Sequence, residues 1–247
     1  RSRGLGDVYK RQEIACHFGP SDHPEVPGRW QYYGVSLPFW RSYDKEDPRR
    51  EFFYYDYTGD AKRDDQSDYG FHYMVPEEGV TVVPNDTTKY MQNVATMKYT
   101  YDMISDAYYD GRTICIFRLS DVILCKAEIE NNLNGPAAAL PYLNQIRARA
   151  GAPEYGKHNR FPAPSTKEAM NDAILKERGY ELVFEFQRRA DLIRFGKYEE
   201  VVNAHLKKLG IAQPTNVTSS LRYFPYPLND AQLNPNLAAE NPSRLPK

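Results

Sequence analysis

The sequence predicts a mainly α fold in which helical hairpins carry long aromatic-rich loops and a few short strands. Two observations lead there. From Thr113 onward apolar residues recur at helical spacing. Before Asp110 that period is absent, and Pro20, Pro24, Pro27, Pro38, Pro48, Pro76 and Pro84 punctuate a tyrosine-rich stretch. Long loops rich in both residues, on a helical frame, describe a binding surface better than a compact catalytic core.

Along the chain, residues 1–12 (RSRGLGDVYKRQ) are set aside, because Asp7-Val8-Tyr9-Lys10-Arg11-Gln12 is what a common sequencing adapter encodes in one frame. The chain is expected to be a fragment whose N-terminal part is missing. Residues 13–112 are expected to form a loop-rich ligand-binding segment, continuous in one domain with a helical region over 113–247. Within the first segment Tyr69, Phe71, Tyr73 and Val75 alternate, which suits a half-exposed extended strand, and residues 79–83 suit another.

Leu119, Val122, Ile123, Ala127 and Glu130 fit a helix ending near Asn131. Asn134-Gly135-Pro136 is a turn, with proline tolerated in the first turn of the next helix. Leu140, Leu143 and Ile146 mark one side of that helix, and Gly151 stops it. Pro141 would cost a hydrogen bond inside a helix, so regular structure is expected from about Leu140. Two such helices form a hairpin unit that cannot bury its own apolar face and needs neighbours. A third helix is expected to open on the capping box Ser165-Thr166-Lys167-Glu168, pass through Gly179 and end near Gln187–Arg188. A short amphipathic helix follows from Tyr198 to Leu209. Beyond Gly210 the chain reads as extended, packed across the helices.

The segment Ala173 to Tyr198 (AILKERGYELVFEFQRRADLIRFGKY) is the most informative. Glu177, Glu181 and Glu185 stack at i, i+4 and i+8, which costs ~0.2–0.5 kcal/mol per like-charged pair unless cations intervene. Arg178, Arg188, Arg189 and Arg194 stand a turn away, with Asp191 among them. Flanking arginines push carboxylate pKa values down, the wrong direction for a general acid. The ladder therefore reads as a structural charge network, Glu177, Arg178, Glu181, Glu185, Arg188, Asp191 and Arg194, with no catalytic residue.

Composition narrows the partners. A net charge of −1 over 247 residues argues against nucleic acid, whose phosphates need a basic face, and against an anionic membrane surface. No run approaches the ~18 apolar residues of a transmembrane span. Cys16, Cys115 and Cys125 make no disulfide framework and are expected to be buried thiols. The five histidines lack ligand spacing, and no phosphate loop or nucleophile elbow is present. No metal or cofactor is expected. The functional candidates are aromatic: Trp30, Tyr32, Tyr33, Trp40, Tyr43, Tyr69 and Tyr73. Flat rings hold the apolar face of a sugar, while hydroxyl and indole N–H groups bond its hydroxyls.

Four stretches in order resemble one family. These are Arg118-Leu119-Ser120-Asp121-Val122-Ile123-Leu124 with Ala127-Glu128, then Leu143-Asn144-Gln145-Ile146-Arg147-Ala148-Arg149-Ala150-Gly151. The charged helix follows, and then Phe224-Pro225-Tyr226-Pro227 with Asn234-Pro235-Asn236-Leu237 and Asn241-Pro242. Asp47-Pro48-Arg49 matches a weaker element upstream. Together they resemble the C-terminal half of the SusD/RagB family of nutrient-binding outer-membrane lipoproteins. That family usually has glycine where Phe186 stands. The resemblance implies tetratricopeptide-like hairpins and non-enzymatic binding of a glycan or oligosaccharide at the cell surface. It also implies delivery of that ligand to a SusC-like TonB-dependent transporter, and attachment to the outer membrane only through a lipid anchor absent from this fragment. Two other classes stay open: a helical-repeat protein–protein interaction module, and a glycan-cleaving enzyme with two facing carboxylates ~5–10 Å apart.

Overall fold

A computed structural model of the chain describes residues 18–20, 23–24, 31, 33–59, 72–79, 88–98, 115–208, 224, 226–234 and 236. The fold is mainly α with a few short strands. The chain divides into two compact units, residues 1–170 and 171–247.

Among the described residues the first unit opens with six short strands. β1 (Val35–Ser36) and β2 (Phe53–Tyr54) flank β6 (Asn93–Thr96), with Val35 opposite Val94 and Phe53 opposite Thr96. β3 (Asp56–Thr58) runs antiparallel to β4 (His72–Met74), which lies parallel to β5 (Thr88–Tyr90). Of the alternation expected at Tyr69, Phe71, Tyr73 and Val75, Tyr69 and Phe71 lie outside the described residues; in β4 Tyr73 is buried between two half-buried neighbours. Gly79 lies in a turn at φ +81° rather than in a strand; residues 80–83 lie outside the described residues. A helical turn, α1 (Leu37–Arg41), and a 3-10 turn (Pro48–Phe52) connect the first strands.

That 3-10 turn explains Asp47-Pro48-Arg49. Asp47 is buried, and its Oδ1 caps the turn by accepting from the Arg49 backbone N–H at 3.0 Å. The Arg49 guanidinium closes a fork on the same carboxylate, Nε to Oδ1 at 3.0 Å and Nη2 to Oδ2 at 2.8 Å. Proline occupies the first position of the turn, where no N–H is needed.

α2 (Leu119–Asn134) and α3 (Pro136–Ala150) form the expected hairpin about Gly135, at φ +89°. Leu124, Ala127, Ala139, Leu143 and Ile146 are fully or almost fully buried and make its core. α3 begins earlier than Pro141 suggests. The carbonyl that loses its partner is that of Ala137, four residues back. Ala137 is exposed, so water can replace the missing donor. At the other end Gly151, at φ +72°, closes a Schellman turn in which the Ala152 N–H bonds the Arg147 carbonyl at 2.9 Å. A Cβ on Gly151 would meet Pro48 Cγ at 3.2 Å, so the hairpin end abuts the 3-10 turn.

The boundary between the units falls within α4 (Lys167–Glu181). Its cap is Thr166, whose Oγ1 accepts from the Ala169 N–H at 3.1 Å, one residue later than the expected box on Ser165. α5 (Arg188–Arg194), α6 (Tyr198–Lys208) and α7 (Leu228–Leu233) complete the second unit.

α4 stops six residues before the expected bend. A helix continued to Asp191 would hold it about 20 Å along the axis from Arg178 at 1.5 Å per residue. The Arg178–Asp191 ion pair, 2.8 Å long, requires the chain to double back instead. The reversal runs over residues 182–187, with Phe184 at φ +60° and Phe186 at φ +64°. Left-handed backbone costs a side chain roughly 1–2 kcal/mol, a physical reason for a glycine at position 186. Phe186→Gly is therefore expected to raise unfolding stability by about 1 kcal/mol in urea titrations; a loss would mean that the exposed ring makes contacts worth more than the strain.

Candidate functional site

The charged helix face is inside the protein. Glu177, at 1% exposure, and Glu181, Glu185, Arg178 and Asp191 are all buried. Asp191 lies between two guanidinium groups: Arg178 Nε donates to Oδ2 at 2.8 Å and Arg194 Nη2 to Oδ1 at 3.1 Å. Arg188 instead reaches back to α4 and donates to the Leu175 carbonyl at 2.8 Å. Burial lowers its pKa, and Asp191 and Tyr180 oppose that shift. Gly179 makes the approach possible, since a Cβ there would lie 2.9 Å from Arg188 Nη1. The mid-helix glycine, unfavourable by propensity, is where that guanidinium crosses α4.

The Leu143–Gly151 motif is structural too. Asn144 clasps the following loop, donating to the Tyr155 carbonyl at 2.8 Å and accepting from the Tyr155 N–H at 2.9 Å. Arg147 is buried, donates through Nε to the Pro153 carbonyl, and lies 4.9 Å from the Tyr155 ring and 4.7 Å from Phe161. A cation bonded to a carbonyl and enclosed by rings is how a guanidinium is accommodated in a core.

The aromatic candidates divide. Trp40, Tyr43 and Tyr73, expected to meet a ligand, are instead core residues. Trp40 is 6% exposed, with Arg50 4.3 Å above its ring, Tyr55 5.1 Å away and its Nε1 donating to the Arg50 carbonyl. Tyr43 packs edge-on against Phe39 and Phe53, and Tyr73 stacks on Tyr57 at 4.9 Å. Ring faces held by protein present no flat platform to a sugar. Trp30, Tyr32 and Tyr69 lie outside the described residues.

Tyr33 is different. It is 59% exposed, with one side set against Phe18 at 5.7 Å. Beside it the Gln31 side chain donates to the Asn93 carbonyl at 3.3 Å and to its Oδ1 at 3.1 Å. The Asn93 amide lies over Gly34, where a Cβ would come within 2.1 Å of Oδ1. Tyr33 thus has an exposed ring, and two residues before it in sequence Gln31 pairs its amide with that of Asn93. Gln31 and Asn93 are invisible as candidates in the sequence; only the pairing of β1 with β6 brings them together. In the second unit, Tyr198, Glu199, Glu200, Asn203 and Gly196 line an open cleft of about 500 Å³. Lys197 already holds Glu200 there at 3.4 Å.

Cys125 is half-buried and Cys115 is exposed, contrary to the expectation of buried thiols. It sits in the irregular stretch before α2, ahead of the packed hairpin. Cys16 lies outside the described residues. Among the described residues no group of three or more His, Cys, Asp or Glu could hold a metal ion, and no helix is long and apolar enough to cross a membrane.

The SusD family model matches residues 3–243. The chain is 39% identical over 120 residues to SusD-like protein P25 of Formosa agariphila, a stretch covering 49% of this chain and 22% of that protein. It is 28% identical over 137 residues to the starch-binding protein SusD of Bacteroides thetaiotaomicron, covering 55% of this chain and 22% of that one. The matched stretches thus span under a quarter of these relatives' own length. A solved SusD superfamily protein from Bacteroides vulgatus shares the fold with a TM-score of 0.55 at 23% identity, over 88% of this chain and 46% of that one. With the family model matched over almost the whole of its length, the chain belongs to the SusD family.

Proposed function

We propose that this chain belongs to a cell-surface protein that binds a glycan or oligosaccharide without cleaving it. It would pass the ligand to a SusC-like TonB-dependent transporter, held at the outer membrane by a lipid anchor elsewhere in the polypeptide. The observation that carries the reading is membership of the SusD family, with a starch-binding protein among its relatives. The local chemistry agrees. Glu177, Glu181 and Glu185 are buried, Asp191 is held by Arg178 and Arg194, and Tyr33 offers an exposed ring face close in sequence to Gln31, whose amide pairs with that of Asn93.

Rings lose little conformational entropy on binding, so Tyr33 is the residue assigned to stack on a sugar. Base–aromatic stacking offers a scale for such a contact, ~1–3 kcal/mol per ring. Tyr33→Ala in the full-length protein is expected to weaken binding on a glycan array by about tenfold or more, while leaving the thermal midpoint unchanged. Unchanged affinity removes Tyr33 from the site. Binding of no glycan by the wild type sinks the reading as a whole, and release of reducing ends from a bound glycan sinks its non-enzymatic part.

A further inference from the structure

The chain is held on both sides of Tyr33, and both holds end on one residue. Two positions earlier, Gln31 has φ +47°, a left-handed backbone that among the described non-glycine residues only Phe184 and Phe186 share. Such a conformation costs a side chain energy and persists only where its surroundings over-determine it. At Gln31 the surroundings are Asn93. The Gln31 Nε2 donates to the Asn93 carbonyl at 3.3 Å and to its Oδ1 at 3.1 Å. One position after Tyr33, Gly34 lies so close to the same side chain that an added Cβ would overlap Oδ1, Cγ and Cβ of Asn93.

Asn93 is itself anchored. It is the first residue of β6 and pairs with Ser36, next to the buried pair of Val35 and Val94. Between the two holds the Tyr33 ring stays 59% exposed, with the buried Phe18 ring 5.7 Å away. An exposed aromatic on a loose loop gives up backbone freedom when a ligand fixes it, and that cost is subtracted from the affinity. A backbone already fixed on both sides leaves only the two torsions of the ring to be settled.

We propose that Asn93 is the positioning residue of this site. It holds Gln31 and Gly34 so that Tyr33 meets a sugar already in place, and it acts through Tyr33 without touching the sugar itself. The inference rests on the assignment of Tyr33 to the glycan site and adds to it the residue that makes the ring rigid. The acceptor Oδ1 is the working atom, so a carboxylate of the same shape should serve as well as the amide.

The test pairs a measurement without ligand with one of binding. Asn93→Ala, which removes Oδ1, and Asn93→Asp, which keeps an acceptor there, are made in the full-length protein, each alone and with Tyr33→Ala. Hydrogen exchange is followed by mass spectrometry. Peptides containing Tyr33 should exchange at least about fivefold faster in Asn93→Ala and at the wild-type rate in Asn93→Asp, with peptides of the α2–α3 hairpin unchanged. Glycan affinity should fall by about three- to tenfold in Asn93→Ala, hold in Asn93→Asp, and fall no further when Asn93→Ala is added to Tyr33→Ala. Wild-type exchange at Tyr33 in Asn93→Ala overturns the proposal. So does an affinity loss that persists in full on the Tyr33→Ala background, which would put Asn93 on the sugar. If Asn93→Ala unfolds the protein, so that the hairpin peptides exchange faster too, Gln31→Gly takes its place: glycine suits the left-handed backbone and removes the same hydrogen bonds. Unchanged exchange at Tyr33 in Gln31→Gly overturns the proposal equally. A wild type that binds no glycan sinks the glycan assignment, while the exchange rates alone still decide whether Asn93 holds Tyr33.

Discussion

Asp191→Ala is expected to lower the unfolding free energy by ~3–5 kcal/mol, because it removes the carboxylate that the buried Arg178 guanidinium faces at 2.8 Å. Arg178 is 3% exposed and its Nε–Oδ2 bond to Asp191 spans thirteen residues of sequence. The penalty is mostly the uncompensated charge, so removing both partners should cost less than removing one. Arg178→Leu combined with Asp191→Leu is expected to recover a large part of the loss, since apolar groups of fitting size replace a buried pair at little cost. Urea unfolding followed by circular dichroism reads both changes. A single-variant loss under about 1 kcal/mol, the range of exposed ion pairs, would mean that water reaches this pair in solution. Arg194 is half in solvent and its 3.1 Å bond to the same carboxylate is screened accordingly, so Arg194→Ala should stay within ~1 kcal/mol.

Trp40→Ala is the second large effect, and it separates packing from binding. A buried tryptophan truncated to alanine costs ~3–5 kcal/mol through lost burial and the cavity left behind. The indole also gives up its bond to the Arg50 carbonyl and its contact with the guanidinium above it. The expected result is a marked fall in the thermal midpoint, with any loss of ligand affinity following from unfolding. At a temperature where the variant remains folded, its affinity for a bound glycan should match that of the wild type. Reduced affinity with unchanged stability would restore Trp40 to the ligand surface.

The helical half of the fold was legible because periodicity carries it. α6 runs from Tyr198 to Lys208 against an expected end at Leu209, and α2 and α3 meet at the Gly135 turn the sequence marks. The charge ladder was legible only in part: Glu177 and Glu181 share the buried side of α4, Glu185 falls in the reversal beyond its end, and Asp191 is the carboxylate held by Arg178 and Arg194. The end of α4 was not. The sequence reads as helical to about Gln187–Arg188, but the chain turns back after Glu181 and puts Arg178 against Asp191, and the reversal is built on two phenylalanines rather than on glycine or proline. Pro141 misled in the opposite direction, since an exposed carbonyl makes a proline inside α3 tolerable.

The aromatic site was the least legible part. Ring type alone does not separate Trp40, enclosed by Arg50 and Tyr55, from Tyr33, open on one side; that difference arises from which strand each lies beside. Gln31 and Asn93 are sixty-two residues apart, and no local pattern predicts that their amides meet.

The contact between Gly151 and Pro48 ties together two motifs that lie a hundred residues apart in sequence. Neither position is free to vary alone: a methyl at 151 strains a backbone at φ +72° and presses on the proline ring 3.2 Å away. Drift at one end must wait for accommodation at the other, so related chains should change these two positions together or not at all. Short sequence signatures that look independent are, at this point, a single joint through which the rigid hairpin sets the placement of the loops before it.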